Sequence, residues 1–169
     1  MTRTSHLFVS TLIAALLAAA PSPAGAAAGG FTDPDDVNLP LDLKALSHDL
    51  SGSTVVYTVE TYDPFADRQA DFKWALDTNN DQKVDRLVSV EFEGGLVAKV
   101  EDSGENELGK ATVERTGPHG LRISFGRDLA GAASYQYRVT AVTDKNGNEE
   151  DDKGETDVAP DQGFHPHQL

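Results

Sequence analysis

Apolar and polar residues alternate with a period of two along most of this chain, the signature of strands with one buried face. Val55, Tyr57 and Val59 share a face, as do Phe72, Trp74 and Leu76 against Lys73 and Ala75, and Val88, Val90 and Phe92 against Ser89, Glu91 and Glu93. A late run places Tyr135, Tyr137, Val139 and Ala141 together, and shorter strands are expected over 96–101, 110–115 and 121–125. Gly94-Gly95, Ser103-Gly104 and Gly117-Pro118 break the runs, and Asp128 to Ala133 suggests one helical turn. Leu41, Leu43 and Leu46 open the first apolar element, and residues 27–40 read as an extended lead-in with a turn at Asp33-Pro34-Asp35-Asp36. Several short strands without a long helical pattern predict an all-β fold. Its expected form is a single antiparallel β-sandwich, immunoglobulin-like or jelly-roll-like, over 41–161, with a C-terminal tail over 162–169.

Ahead of the strands, Arg3, the apolar stretch Leu7 to Ala20 and the small residues Pro21 to Ala26 have the organisation of a secretory signal peptide over 1–26. The apolar stretch is about 14 residues, short of the roughly 20 needed to span a bilayer, so a secreted, extracellular product without membrane insertion is expected. The chain has no cysteine, so export brings no disulfides and stability must come from packing and ions. Removing 1–26 takes away Arg3 and no acid, which deepens the full chain's net charge of -14 by one. Such a charge repels nucleic acid and anionic lipid, excluding them as partners. A monomer is the expected state.

The candidate chemistry lies where two strands reverse. Asp77-Thr78-Asn79-Asn80-Asp81-Gln82-Lys83-Val84-Asp85 puts oxygen-bearing side chains at alternate positions, Lys83 excepted. Hard cations take six to eight oxygens, which a short loop supplies by alternating side chains with backbone carbonyls. Asp77, Asn79, Asp81 and Asp85, with the Lys83 carbonyl, are therefore expected to bind a structural Ca2+. Gln82 stands where an EF-hand loop has glycine and Val88 where it has a bidentate Glu, so a hairpin site is expected in place of a helix-loop-helix one. The competing reading is an ion-free turn, because Asp and Asn also cap turns with local hydrogen bonds.

Other features read as structural. The acidic stretch Asp144 to Asp157 is expected to be a solvated loop, with Asp144, Asn146 and Asn148 as an alternative second calcium site. His165 and His167 lie on a tail expected to fray, and His48 and His119 are expected at the surface. No catalytic residue stands out: there is no Gly-x-Ser-x-Gly elbow and no His-Glu-x-x-His pairing, and the phosphate-loop spacing at Gly104 to Lys110 is followed by Ala111 in place of a hydroxyl.

The order of Asp33-Pro34-Asp35-Asp36-Val37, Leu41-Asp42-Leu43, Val55 to Thr61, the aspartate-rich hairpin, Tyr135-Gln136-Tyr137-Arg138-Val139 and Asp157-Val158-Ala159-Pro160-Asp161-Gln162-Gly163 resembles secreted bacterial β-sandwich domains related to family 9 carbohydrate-binding modules and DOMON-like domains. The resemblance covers nearly all of 31–169. It implies a non-catalytic binding or accessory module, with a glycan among its candidate ligands. Sugar-binding members stack pyranose rings on exposed aromatics; Tyr62 and Phe65 are the residues better placed for that role, although loop aromatics more often tuck onto the end of a sandwich, whereas Trp74 alternates as a core residue would. The alternative is an extracellular protein-interaction domain whose acidic loop captures a basic partner.

Overall fold

The computed structural model describes residues 29–143 and 155–168. The expected signal peptide and residues 144–154 of the acidic stretch, including Asp144, Asn146 and Asn148, lie outside the described residues. Eleven strands follow in order: β1 Gly29–Thr32, β2 Leu43–Ser51, β3 Thr54–Thr61, β4 Phe72–Asp77, β5 Arg86–Phe92, β6 Leu96–Asp102, β7 Glu107–Gly117, β8 Gly120–Gly126, β9 Ser134–Thr143, β10 Glu155–Ala159 and β11 His165–Gln168. Short 3-10 turns at Asp67–Gln69 and Arg127–Ala130 are the helical elements among the described residues. No helix among them is long and apolar enough to cross a membrane.

The fold is all-β and antiparallel, as the alternation predicts. Its layers are continuous: one sheet runs β1-β2-β3-β8-β7-β6-β5-β4-β9-β10 and curls into a half-barrel, with β11 also paired to β9. The curl is possible because β7 serves both halves. Its first part pairs with β6 through Ala111↔Ala98, its second with β8 through Val113↔Ile123, and register shifts at Val100/Glu101 and Arg115/Gly117 let the strand bend.

Curling turns the apolar faces inward, where Tyr57, Trp74, Tyr137, Leu76, Val88, Val100, Leu121 and Ile123 form one buried cluster. The Tyr57 and Tyr135 hydroxyls bond each other at 2.6 Å, so strands from both halves meet inside the curl. Trp74 is buried in this core, as its position in the alternation predicts.

Two segments differ from expectation. The lead-in is partly a strand, β1, paired with β2 from Gly29↔His48 to Thr32↔Ala45. A Cβ on Gly30 would collide with the Leu46 carbonyl, so glycine permits this close approach. The C-terminal tail is likewise a strand: β11 takes the part of the β9 edge that β10 leaves open, pairing His165↔Tyr137 and His167↔Tyr135. His-Pro-His-Gln lacks the apolar alternation that marks a strand, and the vacant edge supplies the pairing instead.

The sheet ends, β1 and β2 on one side and β10 and β11 on the other, face each other across a seam without a backbone ladder among the described residues. Side chains close it. Phe31 lies against His165 with ring centres 4.5 Å apart, His48 against His167 at 4.0 Å, and the Asp157 carboxylate accepts the Leu43 N–H at 2.6 Å.

Candidate metal centre

The loop from Asp77 to Asp85 is wound around its first residue. Asp77 closes β4 and is wholly buried. Its Oδ1 accepts the N–H groups of Asn79 at 3.3 Å and Asp81 at 3.2 Å, and its Oδ2 accepts that of Gln82 at 2.8 Å. Asn79 Oδ1 then accepts the Asp81 N–H, and Asp81 Oδ1 accepts the Lys83 N–H, each at 3.0 Å. At the far end Asp85 Oδ2 accepts the Thr78 hydroxyl and N–H at 2.7 and 2.8 Å, which hold its carboxyl below the usual carboxylate range. Gln82 adopts φ 66, the left-handed conformation that calcium loops assign to glycine at the corresponding position.

The five expected calcium ligands thus lie in one turn, but their carboxylates are engaged with backbone donors. Asp77, Asp81 and Asp85 do not form a trio of mutually close carboxylate oxygens; among the described residues that arrangement occurs elsewhere. Lys83 is exposed, with its ammonium 3.7 Å from Asp81 Oδ2. Gln82 Nε2 donates to Gln136 Oε1 at 3.1 Å, tying the loop to β9. Asp77, Thr78, Asn79 and Asn80 form one wall of a cleft of about 370 Å³, opposite Ser134 to Gln136, Pro166 and His167.

The structure separates the aromatic pair expected to meet a sugar. Phe65 is buried, packs edge-on against Phe72 and lies under the Arg115 guanidinium. Tyr62 is half-buried; its hydroxyl donates to the Asp33 carbonyl at 2.9 Å while its N–H donates to the Asp42 carbonyl. Phe65 therefore presents no free ring face, whereas Tyr62 stays partly exposed and lines a surface cleft with Lys44, Glu60 and His119.

His48 and His167 are also buried, contrary to their expected surface and tail placements. His167 stacks on Tyr135 with ring centres 4.7 Å apart and neither of its ring nitrogens has a hydrogen-bond partner, while His48 Nδ1 is bonded to the Tyr137 hydroxyl at 3.1 Å. Burial lowers both, His48 to about 4 and His167 to about 3, with neighbouring histidines adding to the effect. His119 is exposed, as expected.

The trio of close carboxylates lies at the seam. One oxygen each from Asp33, Asp36 and Asp157 lies within 4.8 Å of the other two. Asp33 follows β1, Asp42 precedes β2, and Asp157 is in β10. Asp157 was expected in a solvated loop, yet it is buried, with Oδ2 on the Leu43 N–H and Oδ1 on the Val158 N–H. Burial and then the charge of Asp157 push Asp33 up to about 7; burial, Asp157 and Asp35 push Asp42 up to about 6. The sequence carried one sign of this cluster: Asp42 stands between Leu41 and Leu43, where an acid in an apolar run is itself buried.

No family model matches this chain, and searches of curated proteins and of solved structures find no significant match.

Proposed function

We propose that the chain is a secreted, non-catalytic binding or accessory module, of the kind represented by family 9 carbohydrate-binding-module-like and DOMON-like domains, whose Asp77–Asp85 loop is stiffened by calcium. The observation that carries this reading is the winding of the loop about buried Asp77, with Gln82 in the left-handed conformation. Each carboxylate oxygen has two lone pairs, so Asp77 Oδ2 and Asp81 Oδ1, each accepting one backbone N–H, keep capacity for an ion. Because the same loop walls the cleft beside β9 and β11, fixing it also fixes that cleft. Calcium here is structural: at a free ion concentration tenfold above its dissociation constant, it stabilises the fold by about 1.4 kcal/mol.

The test is thermal melting with calcium and with chelator at matched ionic strength, comparing wild type with Asp81→Ala. Calcium bound in the loop is expected to raise the wild-type melt by roughly 3–5 °C for that stabilisation, and Asp81→Ala to lose that part of the shift. A shift of full size in Asp81→Ala would reject the loop as the calcium site.

A further inference from the structure

Besides its ring contacts, the seam carries a carboxylate-to-backbone bond between residues remote in sequence, from Leu43 in β2 to Asp157 in β10. Around it lie the close oxygens of Asp33, Asp36 and Asp157. Oxygens sharing one calcium ion at about 2.3–2.6 Å can stand about 5 Å apart across it, so their spacing suits a common ion.

Proximity of acids is common on a chain this acidic, and a second observation separates this group from the rest. Asp33 is 5% exposed and its Oδ2 has no hydrogen-bond partner; Asp42 is 2% exposed and its Oδ1 has none. Asp42 adjoins this group: the N–H of the next residue, Leu43, donates to Asp157 Oδ2. Among the described residues, no Lys, Arg or His forms an ion pair with Asp33, Asp36, Asp42 or Asp157. A buried carboxylate without donor or counter-charge is strongly disfavoured, and it is retained where a cation completes it.

We propose that Asp33, Asp36 and Asp157, backed by the buried carboxylate of Asp42, bind a divalent oxygen-preferring cation, with calcium the best match, that staples β1 and β2 to β10 across the seam. The oxygen-only donor set favours calcium over zinc or copper, which prefer imidazole or thiolate. The proposal does not depend on the Asp77–Asp85 loop. Its physical role is closure: an ion held jointly by residues 33, 36 and 157 fixes the two open sides of the half-barrel to each other.

Calorimetric titration of the full chain with calcium tests it. Two ions per chain are expected if both sites fill. Asp36→Asn, at an exposed position, should weaken one of them roughly tenfold or more and leave the other, whereas Asp81→Ala should affect the complementary one. Asp33→Asn should melt higher than wild type in chelator, having lost an unpaired buried charge, yet gain less from calcium. That crossing of signs distinguishes a ligand from an aspartate that only supports the fold, which would melt lower in both conditions and overturn the proposal. Unchanged stoichiometry and affinity in Asp36→Asn and Asp33→Asn would also overturn it. One ion, lost in Asp36→Asn and kept in Asp81→Ala, would uphold the seam site and reject the loop; the reverse would reject the seam site.

Discussion

The hairpin loop and the seam hold comparable sets of aspartates and treat them in opposite ways. In the loop, Asp77, Asp81 and Asp85 accept backbone N–H groups, and the hydrogen bonds to Asp85 hold it below the usual carboxylate range. At the seam, Asp33 and Asp42 are buried with an oxygen each unpartnered and are raised to about 7 and about 6, chiefly by burial. An acid's environment therefore says more than its spacing. Donors stabilise the charged form, whereas burial without donors disfavours it until a proton or a cation arrives. The loop aspartates organise backbone whether or not an ion is bound; Asp33 and Asp42 at the seam are frustrated without one.

The comparison breaks most severely at Asp77. Asp77→Ala removes the acceptor for three loop N–H groups and leaves a void at the end of β4. Hydrogen bonds to a charged group contribute about 1.5–3 kcal/mol, so a loss of about 2–3 kcal/mol is expected by urea unfolding in chelator. A loss below about 0.5 kcal/mol would show that the loop does not depend on its central carboxylate.

The other end of the seam extends the contrast to bases. His167 is packed among Tyr57, Tyr135, Tyr137 and His48 and faces no carboxylate in those ring contacts. Burial, with the nearby charges of His48 and His165, lowers it to about 3 from an ordinary value near 6.5. The unfolded chain binds the proton first, so the stability contributed by neutral His167 is present above about pH 6.5 and is lost as pH falls toward 3. At pH 5 the cost is about 2 kcal/mol. Phe fills similar space and carries no proton, so the stability of His167→Phe relative to wild type should rise by about that amount between pH 7.5 and pH 5. Equal acid slopes in chemical denaturation would count against a buried neutral imidazole.

Period-two alternation identifies strands by their buried faces, which is why Val55 to Thr61, Phe72 to Leu76 and Tyr135 to Ala141 are legible in sequence and Trp74 reads as core. It has no purchase on β1, four residues with two glycines, or on β11, where Pro166 interrupts and His167 supplies the buried ring. Both are edge elements recruited by an available neighbour, and that neighbour is a tertiary fact. The curl of the sheet depends on β7 changing partners midway, and none of its residues falls among the fully buried ones. The Asp77–Asp85 loop is legible because its residues are contiguous. The seam group is not, since Asp33 and Asp157 meet only after the strands between them have wound around the core.

The mildest change sharpens the comparison through its sign. Asp42→Asn preserves shape at a buried site, removes a charge repelled by Asp157 and Asp35, and supplies amide hydrogens that neighbouring carboxylates can accept. In chelator near neutral pH it should stabilise the fold by about 1 kcal/mol, because relief of uncompensated buried charge outweighs loss of an acceptor that the ion-free protein does not use. With calcium the gain should shrink or reverse, because the wild-type carboxylate then faces a cation. Urea unfolding of the two proteins in both conditions gives the double difference directly. A destabilisation of similar size in chelator and in calcium would mean that Asp42 is satisfied in the ion-free fold, and that burial at the seam is then no different in kind from the hydrogen-bonded order of the loop.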